Sequence, residues 1–326
     1  MKSVFVSAGF ILAAAAMLPA AAQTSPAADA AWIESQVSAL RAEVTHRAAA
    51  ALPPIAGLVE RVGAGRWTCV AVVPDGADPH TWAPSPRQLA SFSGVKLMFG
   101  SGMPFENALV KRLVQRSLLL PGGRRFMEAV ELGDGDHDED DDHAHDHAHA
   151  AHAHDHAHDH GGDPHGWLST KRLREWSRTV SDALRSRDPD VEKFAPLYDE
   201  ALADFQAEVR ALEDEIRSKI PEGTSFGAVH AAFGPFAEAF GLRQIALETE
   251  GREPGPRALA AAAAALGETG ARVLLVQNDA EARLAAPFAA KSGARIVRVR
   301  LLGSDPLETI RQVAEAIAGG GAAAAR

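Results

Sequence analysis

Apolar positions along the chain follow two different spacings. Trp32, Ile33, Val37, Leu40 and Val44 fall on one face of a helix over Trp32–Arg47. Leu52-Pro53-Pro54 breaks the pattern, and a short helical spacing resumes through Val59. Trp67–Val73 and Val95–Phe99 are compact apolar and β-branched runs that predict strands. Ser117–Leu120 is a third candidate, with a helix over Phe105–Val114 between them.

Asp190–Ile220 reads as one long helix, with Val191, Phe194, Leu197, Leu202, Phe205, Val209, Leu212 and Ile216 as its apolar stripe. Pro196 kinks it or marks its true start, and Pro221-Glu222-Gly223 ends it. Beyond it, strands are expected at Ser225–Val229, Gln244–Leu247, Arg272–Val276 and Arg295–Leu302. Helices are expected at Arg257–Leu266, Ala280–Lys291 and Pro306–Ile317, and the tail Gly319–Arg326 is expected to lack fixed structure. Strands that alternate with helices on both sides of a long helix predict an α/β protein of two lobes. Each lobe would hold a mainly parallel sheet, and the helix would connect them.

One segment obeys neither spacing. Gly133–Gly162 holds almost nothing apolar except Ala and alternates His with Ala or Asp, so it cannot build a core and is expected to be a mobile loop. His143, His145, His147, His149, His152, His154, His156, His158 and His160 alternate with one phase slip at Ala150-Ala151. Extended chain places alternate residues on one face, and a helix makes His143/His147, His154/His158 and His156/His160 neighbours. Either form offers imidazole pairs with Asp oxygens nearby, a secondary collector that binds several divalent ions weakly.

The N-terminus adds a compartment. Lys2, the apolar run Val4–Leu18 and Ala20-Ala21-Ala22 before Gln23 make a signal-peptide pattern with cleavage after Ala22. The run is short for a membrane anchor, and no Cys near the cleavage site offers a lipid attachment, so the expectation is a free periplasmic protein. Cys69 is the sole cysteine, which rules out an internal disulfide and predicts a small buried strand residue. The formal net charge of -10 argues against nucleic acid as a partner. The expected organisation is a signal peptide over 1–22, an extension over 23–47 with a helical pattern, and a first α/β lobe over 48–189 that includes the His/Asp-rich loop 134–162. A connecting helix over 190–221 and a second lobe over 222–326 follow.

Outside the loop, His46, His80, His165 and His230 remain. His80 follows the Trp67–Val73 strand in Asp75-Gly76-Ala77-Asp78-Pro79-His80, and His230 ends the Ser225–Val229 strand. In open α/β sheets ligands bind beyond the carboxyl ends of strands, and a cleft between lobes would bring those ends together. His165 lies in Asp163-Pro164-His165-Gly166-Trp167. Asp-Pro before His80 and His165 restricts the backbone and suits a preorganised ligand. Three neutral imidazoles are good zinc ligands, and Asp305 after the last strand is the natural oxygen donor for a fourth position. Three nitrogens and one oxygen suit zinc and also accept manganese. Asp305 has a rival reading as the cap of the helix that begins at Pro306, and water or Glu250 can take its place at the metal. His46 reads as a surface or core residue.

Together these residues resemble the zinc- and manganese-specific substrate-binding proteins of ABC transporters. The resemblance rests on Leu52-Pro53-Pro54, Asp75–Trp82, Pro84-Ser85-Pro86, Phe105-Glu106, Asp163–Ser169, Val229-His230, Glu250–Pro254 and Ser304–Leu307, in family order over nearly the whole mature chain. It implies two α/β lobes joined by a backbone helix, with the metal in the interlobe cleft. His80 and His165 match ligand positions of the first lobe, His230 and Asp305 those of the second. His at position 230, where manganese-type members carry Glu, leans toward Zn2+ over Mn2+, since imidazole is the softer donor. It also implies a structural role for Glu106, a first strand reduced to Ala48–Leu52, and delivery by a monomer to an ABC permease of the inner membrane.

An enzyme is the weaker reading. The sequence lacks a His-Glu-x-x-His element and a Gly-x-Ser-x-Gly elbow, and no general base stands beside the ligands. Glu250 and Glu253, a carboxylate pair by appearance, read as a polar loop that anchors the second lobe. A periplasmic zinc buffer or chaperone without a transporter remains the open alternative.

Overall fold

The computed structural model describes residues 46–79, 82–85, 87–88, 92, 95, 97–101, 106, 128–132, 163–248 and 256–322. The signal-peptide stretch, the expected helix from Trp32 up to residue 45, the Ser117–Leu120 strand, all but Glu106 of the Phe105–Val114 helix and the His-rich loop lie outside them.

Two four-stranded parallel sheets form the frame. The first has the order β2-β1-β3-β4, from β1 His46–Ala50, β2 Trp67–Ala71, β3 Leu97–Gly100 and β4 Glu128–Glu131. The second repeats that order as β6-β5-β7-β8, from β5 Ser225–Ala228, β6 Arg243–Ala246, β7 Val273–Val276 and β8 Arg295–Arg298. His46 and Arg47, the end of the expected helix, are instead strand residues in register with Trp67 and Thr68. Alanine is a poor strand former, yet Ala48, Ala49 and Ala50 are fully buried in β1 between two partners, so packing overrides propensity. β4 had no forecast: Glu-Ala-Val-Glu carries little apolar signal and pairs only at the sheet edge. β8 ends at Arg298, and Leu301 and Leu302 pass from the strand into a buried turn.

The helices position the sheets. α1 (Pro53–Val62) starts on the Pro-Pro pair, which supplies fixed φ where no donor is needed, and buries Ile55, Leu58, Val59 and Val62 at helical spacing. α2 (Thr170–Arg187), also unforeseen, is capped by Ser169 and buries Leu173, Trp176, Val180 and Leu184. α3 (Val191–Lys219) is the long connector of 29 residues, with Tyr198, Phe205, Val209, Leu212 and Ile216 on its buried face. Pro196 sits inside it, one turn in, where it removes a single intrahelical bond. In the second lobe come α4 (Gly234–Phe240), α5 (Pro256–Glu268), α6 (Asp279–Ser292) and α7 (Pro306–Ala322). α7 runs through Gly319–Ala322, so the first half of the tail expected to be unstructured is helical.

The lobes share one core. Leu52, Leu58 and Val59 of the first lobe, Phe205 and Leu212 of α3, and Leu301, Leu307, Ile310 and Val313 of the second belong to one continuous apolar cluster. Contact is close enough that a Cβ on Gly57 of α1 would lie 1.7 Å from the Ser304 carbonyl oxygen. The Trp167 indole donates across the boundary to the Leu301 carbonyl at 3.0 Å, and Arg300 pairs with Asp75. An interface built as core resists hinge motion more than a polar one does.

A buried polar network anchors the far end of the first lobe. Asp188, between α2 and α3, accepts from Arg66 Nε at 2.9 Å and Nη2 at 2.7 Å, from the Tyr198 hydroxyl at 2.9 Å, and pairs with His46 Nε2 at 3.1 Å. Trp67 Nε1 donates to Tyr198 at 2.8 Å. The Arg66 guanidinium holds the Asp188 carboxyl far below the usual carboxylate range. Burial, together with the carboxylate partner, pushes the Tyr198 hydroxyl up to about 12, so it remains a donor. His46 is therefore a core residue, tied to the start of the connector.

Candidate metal centre

His230 stands just past β5, the strand beside which the order of the second sheet reverses. That is where open parallel sheets place ligands. Its loop is fixed by backbone bonds on both sides: Val229 N donates to Leu275 O at 3.1 Å, and Glu248 N donates to Val229 O at 2.9 Å.

His165 reaches the same place from the first lobe. It precedes a short 3-10 turn, Gly166–Leu168, that leads into α2. A Cβ on Gly166 would lie 2.6 Å from the Trp176 ring, so the chain must run close to α2 here. The His165 ring is buried, with its centroid 5.3 Å from that of Trp167 and 5.3 Å from that of His230, the two imidazoles meeting edge to face at 74°.

Asp163 orients the His165 ring. Its Oδ1 accepts from the His165 backbone N at 3.0 Å and lies 2.8 Å from Nδ1. A carboxylate has no proton to give, so a neutral imidazole must donate from Nδ1, which leaves the Nε2 lone pair for a ligand. The sequence carried this signal as an Asp two residues before a His, the spacing of an Asx-turn, where the Asp-Pro pair had pointed only to backbone stiffness.

Asp305 is engaged elsewhere. Oδ1 accepts from Leu307 N at 2.9 Å and Glu308 N at 3.3 Å, the bonds of a helix cap, and Oδ2 lies 3.6 Å from Arg61 Nη1. Among the described residues no three His, Cys, Asp or Glu side chains form a group that could hold a metal. His80, Glu250, Glu253 and the loop histidines lie outside those residues. The flanks of His80 are described: Trp82 N donates to Asp78 O at 2.9 Å, and Asp75 is fixed by Arg300.

Acidic groups of both lobes lie near one another. Glu281 of α6 is pushed up by burial, and Glu248 and Asp78 add to the rise. Glu106 is buried and accepts from the Ser101 backbone N and hydroxyl, both at 2.8 Å, a structural role. Cys69 is a buried β2 residue whose thiol burial pushes well up, with Glu60 adding to it, so it is a poor metal ligand.

Two parallel α/β lobes are bridged by a long helix, with a histidine from each meeting at the lobe boundary, and this architecture is that of a two-lobed binding protein. The chain belongs to the ZnuA family, described as zinc-uptake complex component A, periplasmic, which matches residues 49–319. This is a family of metal-binding transport components and not of enzymes. The chain is 24% identical over 231 residues to the high-affinity zinc uptake system protein ZnuA of Bacillus subtilis, covering 69% of this chain and 68% of that protein. It is 22% identical over 200 residues to the manganese-binding lipoprotein MntA of Halalkalibacterium halodurans, covering 61% and 59%. It thus spans about three fifths to two thirds of the length of these relatives. Among solved structures, a ZnuA crystal structure superposes with a TM-score of 0.69 at 24% identity, over 84% of this chain and 98% of that one. A ZnuA deletion mutant with zinc bound gives 0.68 at 24% over 85% and 98%. At these identities the likeness establishes the fold.

Proposed function

We propose that the protein captures zinc in the periplasm and delivers it to an ABC permease of the inner membrane. Three imidazoles, from His80, His165 and His230, would hold the ion. The juxtaposition of His165 and His230 carries this reading. A zinc–nitrogen bond of about 2.0–2.1 Å puts each ring centroid roughly 3.2 Å from the ion. If one nitrogen of each ring points at a common ion, the observed separation of 5.3 Å subtends roughly 110°, close to the tetrahedral angle. His80, the third imidazole of the proposed set, is assigned to it from its place in the sequence between Asp78 and Trp82.

The fourth position takes an oxygen donor. Asp305 is engaged by Arg61 and by the cap of α7, so water is the proposed donor. An all-nitrogen protein set favours zinc over manganese, which prefers carboxylate and carbonyl oxygen. The zinc-bound ZnuA mutant and the Bacillus zinc-uptake protein support the same choice, while MntA keeps manganese as the alternative cargo. Asp78, Glu248 and Glu281 would make the approach negative and attract a cation.

Export rests on the signal-peptide pattern over 1–22 and on the periplasmic family. Among the described residues no helix is long and apolar enough to cross a membrane. The alternating histidines from His143 to His160 would add weak, exchangeable sites. X-ray absorption at the zinc edge tests the ligand set: three imidazole nitrogens at about 2.0–2.1 Å and one oxygen are expected, and a sulfur or an all-oxygen shell would rule the site out.

A further inference from the structure

The carboxylate that orients His165 also touches the opposite lobe. Asp163 Oδ1 serves the His165 ring, and Oδ2 lies against Gly234, the first residue of α4, where a Cβ would come within 2.6 Å of it. Gly234 stands four residues after His230, and its neighbour Phe233 is fixed to β6 by a bond from its backbone N to Gln244 Oε1 at 2.7 Å. On the first-lobe side, Arg172 Nη1 holds the Asp163 carbonyl at 3.0 Å.

We infer that Asp163 is a positioning residue that couples the two lobes to the imidazole of His165, and that Gly234 is glycine because this carboxylate must seat on it. One oxygen sets which ring nitrogen is bare and where it points. The other registers where the second lobe stands. A displacement of α4 therefore moves the ligand of the first lobe, so both halves of the site are set together. The inference rests on the reading of His165 and His230 as ligands, but its first test does not.

Long-range nitrogen–proton NMR of the imidazoles, on the metal-free full chain, reports which nitrogen of each ring carries the proton. The His165 signal is assigned by its loss in His165→Gln. Wild type should show His165 protonated on Nδ1. Asp163→Ala should lose that preference, and Asp163→Asn should keep it, because the backbone N–H of His165 keeps an oxygen at the Oδ1 position. Gly234→Ala should perturb the same signal, although it alters neither histidine. With zinc itself as probe, measured against a tight chelator so that weak loop sites stay empty, Asp163→Ala should lose about 10–100-fold in affinity. Asp163→Asn should recover most of this, and Gly234→Ala should fall between. An unchanged tautomer in Asp163→Ala overturns the positioning role, and an unchanged signal in Gly234→Ala overturns the link between lobes. Should Asp163→Ala fail to fold, Asp163→Asn and Gly234→Ala decide the matter. If His230→Ala keeps full zinc affinity, the metal reading fails while the NMR result on metal-free protein still stands.

Discussion

His165 and His230 meet edge to face with ring centroids 5.3 Å apart, although one precedes the connector helix and the other follows a strand beyond it. Neither lobe alone builds this pair. A shared apolar core, the Trp167–Leu301 bond and the close pass of Gly57 by Ser304 hold the two lobes around the pair.

Asp305 separates a cap from a ligand. Asp305→Ala removes the Oδ1 bonds to Leu307 and Glu308 and should lower stability by about 1 kcal/mol in urea unfolding. Asp305→Asn keeps a capping oxygen and removes the charge, so it should retain stability. With water at the fourth position, its zinc affinity should stay within about threefold of wild type; a loss of about tenfold or more would assign Oδ2 to the metal.

Asp188→Asn should be among the most damaging single changes. It leaves Arg66 and His46 around a neutral amide in a buried site, and breaking such a pair costs about 3–5 kcal/mol. The pH dependence follows from sign. Asp188 is depressed in the fold, so its contribution is complete above the unfolded carboxyl pKa of about 3.9 and is lost as pH falls below it. Urea midpoints from pH 7 down to about 3 should drop in wild type and flatten in the Asn variant; parallel acid limbs would show that other carboxylates set the response.

The candidate histidines stood out because strand ends and Asp-Pro turns are local patterns, and of these candidates the structure brings His165 and His230 together. The long connector was legible because its apolar stripe persists over many turns. What escaped was non-local. β4 has two glutamates in four residues and exists because β3 pairs with it. β1 is largely alanine and exists because two neighbours bury it; the resemblance gave a strand at Ala48–Leu52, but its start at His46 and Arg47 was hidden under the helical spacing that runs up to them. The roles of His46, with its partner across the lobe, and of Gly234, with Asp163 against it, depend on residues far away in the chain.

Gly57→Ala tests the fixed lobe arrangement. A Cβ there cannot coexist with the Ser304 carbonyl, so α1 or the segment before α7 must shift. Overpacking of this kind costs about 1–3 kcal/mol, and zinc affinity should fall with it, because Ser304 moves with the second lobe. A stable Gly57→Ala protein with full affinity would show that the lobes tolerate relative movement.

Zinc binding by competition calorimetry tests the central claim most directly. It would compare the mature protein with its His230→Ala variant, both lacking residues 137–160. A tight site for one zinc ion per chain that persists without the loop and collapses in the variant is the expected result. Loss of all tight binding with the loop alone, or an unchanged site in His230→Ala, would contradict a cleft built on His80, His165 and His230 and leave a His-rich metal buffer in its place.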